Sequence, residues 1–283
     1  MYEFIIHNEP VIRLGFFAGI FLAVALGEFF APRRRLSTSK TSRWCINVGI
    51  VLINTFILRM FFPIAAVGAA IIAGQRQWGL FNNIEIHPYV AIILPVVILD
   101  FTIYIQHVLF HAVPTLWRLH MVHHADLDFD LTTGSRFHPV EIMISMLIKI
   151  AVVVLIGAPA VSVILFEVLL NGTAMFNHGN LFIPLRLDRA LRLIVVTPDM
   201  HRVHHSVFPF ETNSNFGFNS PWWDMLMGTY KNQPKMGHEG MTIGLNQFRE
   251  PSALTLPKIL VLPFTGKIGN YPINRRGLAD QDT

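Results

Sequence analysis

Ten of the thirteen histidines in this chain fall between positions 107 and 205, and they recur at fixed spacings. His107 and His111 form H-x-x-x-H; His120, His123 and His124 form H-x-x-H-H; His201, His204 and His205 form H-x-x-H-H again. On a helix, residues three and four apart share a face, so each set is expected to aim its imidazoles at one point. Imidazole ligates iron, zinc, copper and nickel, and four ligands close a structural zinc site. Eight grouped histidines exceed the needs of one ion and imply two metals. His138 in RFHP and His178 in NHGN are further candidates, either to complete a coordination shell or to orient a ligand. Each of these two alone also reads as an ordinary core histidine. The grouped sets do not read as a plain polar helix face, because the H-x-x-H-H pattern returns 81 residues later. His7, His87 and His238 lack grouped partners and are expected to play no part.

Elimination narrows the metal. The chain has no Glu-x-x-His helical pair, which argues against a ferritin-like carboxylate di-iron bundle, and no H-E-x-x-H zinc-protease motif. Its one cysteine, Cys45, lies in an apolar run, so disulfides, thiolate clusters and a haem-thiolate centre have no support. A haem between two histidines would not require doubled adjacent pairs. Two irons bound by nitrogen alone and open to oxygen fit best, with zinc able to substitute in purified protein.

The elements that must position these side chains are apolar. The 283 residues are 52% hydrophobic and 14% charged, with mean hydropathy +0.47, which excludes an ordinary cytosolic globule. Runs at 11–31, 45–74 and 89–112 are each long enough to cross a hydrocarbon core of about 30 Å, and a fourth covers 142–170. The first is too long for a removable signal peptide. Arg59 in the second run should face protein or a headgroup, and Asp100 in the third should have a partner. Between the first two runs, RRRLSTSKTSR at 33–43 holds five basic residues and no acidic one, which places that loop in the cytoplasm. The third run then returns His107 and His111 to the cytoplasmic side. The net charge of +4 reflects membrane-flanking basic residues, so nucleic acid is not the expected partner.

A single crossing by the fourth run would put His138 and the later histidines on opposite sides. The Gly157-Ala158-Pro159 break at its centre offers two short arms, a hairpin that keeps all clusters on one side. Arg186, Arg189 and Arg192 beside an apolar face predict a helix lying on the membrane surface. Residues 206–283 read as a more polar cap and tail. The expected fold class is all-α: an integral membrane helical bundle with a cytoplasmic histidine-rich di-metal cap, one domain over 1–283, expected in a bacterial inner membrane.

The boxes HVLFH, HMVHH and HRVHH, with LTTGSRFHPVEI after the second, TPDM before the third and NFGFNSPWWDMLMGTY after it, resemble the fatty acid hydroxylase/sterol desaturase superfamily of membrane di-iron enzymes. The resemblance runs from Tyr89 to Tyr230 and is nearest to bacterial sterol desaturase-like proteins and the alkylglycerol monooxygenase branch. It implies O2-dependent hydroxylation of a membrane lipid, with the eight box histidines as ligands and His138 and His178 added. With no fused cytochrome b-type haem domain (HPGG), electrons are expected from a separate ferredoxin- or cytochrome b-type donor with its reductase. The chain ends at 279–283 without a lysine-based retrieval signal, which lends no support to the endoplasmic reticulum. Desaturation by the same metals, and a membrane metal or haem protein without oxygenase activity, are the alternative readings.

Substrate is expected to arrive laterally from the bilayer, its identity left open among fatty acyl chains, ether lipids, sterols or hopanoids, aminolipids and carotenoids. Acceptors beside the boxes are candidates to orient the imidazoles: Asp126, Asp128 and Asp130 after HMVHH, Asp199 before HRVHH, and Asn177 and Asn180 around His178. The three aspartates and Asp199 read equally as a solvated acidic surface. Arg136 could hold an anionic headgroup or pair with one of those aspartates, and Trp222 and Trp223 should anchor a cap. The sequon at Asn171 should be silent on the cytoplasmic side.

Overall fold

The computed structural model describes residues 2–274, and the tail at 279–283 lies outside them. Ten helices carry the argument: α1 (Tyr2–His7), α2 (Glu9–Phe30), α3 (Lys40–Phe61), α4 (Ala65–Gln75), α5 (Pro88–Ala112), α6 (Pro114–His124), α7 (Pro139–Ile156), α8 (Ala160–Asn177), α9 (Leu185–Leu191) and α10 (Pro198–His204). Among the described residues there is no strand, only isolated bridges at Pro32 with Leu181 and Ser206 with Ile243.

Five segments are long and apolar enough to cross a membrane: Glu9–Phe30, Lys40–Asn82, Pro88–Ala112, Pro139–Ile156 and Ala160–Asn177. Their outward faces are apolar too. In α2 only Val24 and Glu28 are buried, while Val11, Leu14, Phe16, Leu22 and Leu26 stand exposed. A helix apolar all round satisfies its backbone internally and needs an apolar solvent, so the chain is a helical membrane protein. Residues 62–64, with Pro63, divide the second apolar run into α3 and α4 and absorb its surplus length.

The fourth run departs from the expected short arms. Helices α7 and α8 have 18 residues each, about 27 Å at 1.5 Å per residue, so each arm is itself of crossing length. Gly157 ends α7 at φ 69° and Pro159 caps α8. A Cβ at Gly157 would lie 2.9 Å from the Trp78 carbonyl, so both the turn and the packing beneath it require glycine. His138 at the head of α7 and His178 at the end of α8 therefore share one end of the bundle, as the parity of the histidines demands.

Helix α2 packs on α8, α4 on α7 and α8, and α5 on α6 and α8. One core, with Ala66, Leu99, Val153, Val163 and Phe166, lies between the spanning helices; another, with Trp117, Met121, Ile259, Leu262 and Tyr271, lies under the cap. The cap is tied down by polar contacts to the spanning helices and neighbouring loops. Glu28 accepts from the backbone N–H of Leu131 at 2.7 Å and of Asn180 at 3.0 Å. Asp100 finds its partner in Trp223, whose indole N–H donates to it at 2.8 Å. Trp222 donates to the Leu193 carbonyl at 2.7 Å, so the two tryptophans do hold a cap. Around α9, Leu185, Leu187, Leu193 and Ile194 are exposed, the apolar face of a surface helix.

Candidate metal centre

Nine buried imidazoles meet between α5, α6, α8 and α10, and they form two groups. His107, His111, His120, His124 and His204 bring one nitrogen each within 4.8 Å of one another, and His123, His178, His201 and His205 do the same. Neither H-x-x-H-H box aims at a single point. The i and i+4 histidines of the second box, His120 and His124, go to the first group and His123 goes to the second. The third box reverses this, with His201 and His205 in the second group and His204 in the first. Adjacent residues on a helix are about 100° apart, so a doubled histidine serves two neighbouring centres where a single one would serve only one. The first box gives both histidines to the first group; His178, the C-cap residue of α8, completes the second.

Local sequence starts each helix at the right place. Pro114 and Pro198 occupy the first turns of α6 and α10, where the missing N–H costs nothing. The Thr197 side chain caps α10 by accepting from the Met200 N–H at 3.3 Å.

The imidazoles are oriented from behind. Nδ1 of His107 donates to the Phe216 carbonyl at 2.7 Å, Nδ1 of His204 to the Ser214 carbonyl at 2.7 Å, and Nδ1 of His178 to the Ala174 carbonyl at 2.8 Å. Carbonyls only accept, so these Nδ1 atoms hold the protons and leave Nε2 with an inward lone pair. His120 donates in the same way to Glu141 at 2.7 Å, and His111 to the Asn213 side-chain oxygen at 3.0 Å. Inside, Nε2 faces Nε2: His107 with His120 and with His204 at 3.0 Å, His124 with His111 at 3.1 Å, and His178 with His123 and with His201 at 3.2 Å. In the pairs of His107 with His120 and with His204, where every Nδ1 holds its proton, the facing lone pairs repel at that distance unless a cation lies among them. The Nδ1 atoms of His123, His124, His201 and His205 have no partner. An all-imidazole donor set of this kind fits two transition-metal ions.

Electrostatics favour the ligand form. Burial first, then neighbouring imidazoles, hold His120, His123, His124, His201, His204 and His205 well below the ordinary histidine range, and burial brings His178 down to about 3. All seven are neutral at neutral pH, as metal ligation requires.

His138 stands outside both groups. It caps α7, accepting the Val140 N–H on Nδ1 at 3.2 Å and donating from Nε2 to the Leu260 carbonyl at 3.1 Å, which leaves no lone pair for a metal. The aspartates beside the boxes also turn away from the imidazoles. Asp126 accepts from Arg43 at 2.6 and 2.8 Å, Asp128 from the backbone and hydroxyls of Ser37 and Thr38, and Asp130 from Arg43 at 2.6 Å. Burial alone would raise the Asp126 carboxyl, but the Arg43 guanidinium holds it well below the usual range. Asp199 pairs with Arg33 at 3.1 Å and with Arg202, and stands 3.5 Å from His238. These acids tie the basic 33–43 loop to the histidine end of the bundle. Arg136 forms no direct ion pair with the aspartates and interacts with Asp126 only through the electrostatic field; it donates to the Val122 carbonyl at 2.8 Å and to Asn47 at 2.9 Å. Asn177 donates to the Phe218 carbonyl at 2.9 Å and so holds a ring that packs on His107 and His201; Asn180 binds the Arg34 backbone.

Glu141, Asn213 and Asp224 escaped the sequence reading. Asp224 accepts the N–H groups of Phe216 and Gly217 at 2.8 Å each and fixes the loop whose carbonyls hold His107 and His204. Asp224 follows the two tryptophans directly in the sequence WWD. A cavity of about 310 Å³ opens beside His107 and His120, with Phe110, Phe137 and Phe218 on its wall. It extends between α3, α5, α7 and α8 and is also lined by the exposed Thr55 and Asn171, at the level of the spanning helices.

Residues 92–229 match the family model for fatty acid hydroxylases. The ornithine lipid hydroxylase OlsE of Rhizobium tropici is 32% identical over 144 residues, covering 51% of this chain and 43% of that protein. Alkylglycerol monooxygenases are similar over 154 residues: 27% identical in Xenopus tropicalis and 26% in Homo sapiens, covering 53% of this chain and 32% of each relative. The chain thus spans less than half the length of the curated relatives it matches. No solved structure matches it.

Proposed function

We propose that this chain, a member of the fatty acid hydroxylase family over residues 92–229, is an O2-dependent di-iron hydroxylase of a membrane lipid. The observation that carries this reading is the pair of adjacent all-imidazole groups, the first of which lends His107 and His120 to the wall of a cavity between the spanning helices. The reaction consumes one lipid C–H bond, O2, two electrons and two protons, and yields an alcohol and water. Two irons held by the nine clustered histidines would supply the oxygen chemistry, with electrons from a separate ferredoxin- or cytochrome b-type donor and its reductase.

The protein's own residues prepare the site. Glu141, Asn213 and the carbonyls of Ala174, Ser214 and Phe216 fix the tautomer and tilt of five imidazoles. Phe110, Phe137 and Phe218 exclude water from the wall where a C–H bond must lie. Lateral opening lets a lipid enter without leaving the bilayer. The basic loop bound to Asp126, Asp128, Asp130 and Asp199 lies at the histidine end, which under the positive-inside rule supports a cytoplasmic active site. In a bacterial cell that membrane is the inner one.

The test is metal and heme analysis of detergent-purified protein, followed by mass spectrometry of lipids from cells with and without the chain. Two irons per chain, no Soret band and lipids heavier by one oxygen are expected. One zinc per chain or a haem band would overturn the reading, and a loss of two hydrogens in place of a gain of oxygen would turn it into a desaturase.

A further inference from the structure

Among the described residues, two side chains other than histidine hold a clustered imidazole by its Nδ1: Glu141, which is buried, and Asn213, which is half-buried. The Asn213 oxygen accepts from His111 at 3.0 Å, and its N–H donates to the Tyr271 carbonyl at 2.7 Å. The next residue, Ser214, gives its carbonyl to His204 at 2.7 Å. Two consecutive residues therefore touch two of the five imidazoles of one group. Asn213 also lines an open groove of about 450 Å³, walled by Pro209, Phe210, Pro272 and Ile273. Phe210 is 52% and Ile273 50% exposed. The Ile273 N–H donates to the His111 carbonyl at 2.9 Å, which puts the groove at the histidine end of α5.

The groove is apolar at its centre and basic at its edge. None of its five lining residues is acidic. The Lys231 ammonium stands 4.6 Å from the centre of the Phe210 ring. Lys235 is exposed, and its backbone N–H donates at 2.5 Å to Glu211, the residue after Phe210. Glu211 itself is buried, so its charge is withheld from the surface. The exposed apolar residues of α2 belong to a helix of crossing length, whereas Phe210 and Ile273 do not and need another partner than lipid. A small apolar contact with a rim of one charge suits the brief encounters by which redox proteins exchange electrons.

We propose that this groove is where the electron donor docks, and that the donor is a small carrier protein with an acidic face around its redox centre. Electron tunnelling weakens steeply with distance, so delivery is fastest where the surface lies one side chain from a ligand. Here that side chain is Asn213, with His111 behind it. Each encounter oxidises the carrier by one electron and reduces the metal of the five-imidazole group by one, and two encounters supply the two electrons that hydroxylation consumes. This use of the groove rests on the hydroxylase reading; the binding of an acidic carrier does not.

The experiment uses the full chain in phosphatidylcholine nanodiscs and three acidic carriers as probes: a plant-type ferredoxin, a flavodoxin and a soluble cytochrome b haem domain. A basic c-type cytochrome is the control, and biolayer interferometry at low ionic strength reads binding. At least one acidic carrier is expected to bind at least about tenfold more tightly than the control, and Lys231→Glu with Lys235→Glu to remove about tenfold of that affinity, a difference that added salt erases. Phe210→Ser tests the apolar centre separately and should also weaken binding. In iron-loaded protein, stopped flow should show the double lysine variant reduced more slowly than the parent by the carrier and equally fast by dithionite. A photocrosslinker on Phe210→Cys, in a Cys45→Ser background, should capture the carrier. Binding of no acidic carrier, binding indifferent to both sets of variants, or crosslinks to lipid alone would overturn the proposal. Lysine-dependent binding in a chain that oxidises no lipid would overturn the hydroxylase reading and leave the docking site standing; lipid oxidation with lysine-independent binding would do the reverse.

Discussion

The Glu141 carboxylate accepts the Nδ1 proton of His120 at 2.7 Å, reaching from the first turn of α7 to the middle of α6, with both side chains buried. A carboxylate behind an imidazole fixes the tautomer and raises ligand basicity, and losing one costs about 10–100-fold in metal affinity. Glu141→Ala is therefore expected to lose metal to a competing chelator about 10–100-fold more readily than the parent, with Glu141→Gln, which keeps an acceptor, in between. Equal retention by all three proteins would show that the contact does not tune the metal.

The division of the doubled histidines makes a second expectation. His204→Ala removes a donor from the five-membered group, and His205→Ala, one residue along, removes one from the four-membered group. Each variant should insert in the membrane, abolish turnover and lose metal from its own centre. With four donors left against three, His205→Ala should lose the more. Plasma emission analysis of iron per chain checks this; loss of both irons together in either variant, or of neither in both, would contradict two separate centres.

How much of this was legible in the sequence follows from how local each feature is. The histidine boxes show themselves because i, i+3 and i+4 spacing is a property of one helix. Their partition between two centres depends on how α5, α6 and α10 are rotated against one another, which no single helix encodes. Asp126 and Asp130 sit next to a box in sequence, but the loop that carries them turns toward Arg43, more than eighty residues earlier in the chain. Glu141 does the work that was expected of those aspartates, and it lies only three residues after His138 in a motif already noticed. His138 looked like a ligand because the capping role of a histidine has no sequence signature, whereas Gly157-Ala158-Pro159 marks its turn plainly.

Gly134 packs against the hydrogen bond that orients His178. A Cβ there would stand 2.6 Å from the Ala174 carbonyl and 3.0 Å from His178 Nδ1, the two atoms that share the orienting hydrogen bond. Gly134→Ala should push that pair apart, cost about 1–3 kcal/mol of stability, and weaken metal retention in the four-membered group. Thermal unfolding combined with metal analysis checks both; an unchanged midpoint and full metal would mean that the backbone yields without cost.

Acid should destabilise the metal-stripped protein from the histidine range downward. His178 has a folded value of about 3 against an ordinary 6.5, and the six other clustered imidazoles outside the spanning helices move in the same direction. Between those values the unfolded chain binds more protons, so stability rises with pH and is lost as pH falls below about 6.5, with a limiting slope of about 1.4 kcal/mol per pH unit for each such group. Asp126 adds to this at lower pH: its depressed value stabilises the fold above the ordinary carboxyl range, and that part is lost as pH falls through and below it. Unfolding midpoints in detergent between pH 8 and pH 4 measure the slope, and a flat profile above pH 4 would contradict buried neutral imidazoles.

Asp224 touches no histidine, yet it governs two of them. It accepts from the N–H groups of Phe216 and Gly217 and from the Thr229 hydroxyl, and the loop so held presents the Ser214 and Phe216 carbonyls to His204 and His107. Asp224→Ala would leave two buried N–H groups unpaired, at about 1–3 kcal/mol each. Both affected histidines belong to the five-membered group, so its metal should be lost while the other group keeps its own. Asp224→Asn retains one acceptor oxygen and should lie between the two. Metal content of the three proteins, read beside their unfolding midpoints, separates this from general destabilisation: loss of metal from both groups in proportion to stability would remove any specific role for the loop.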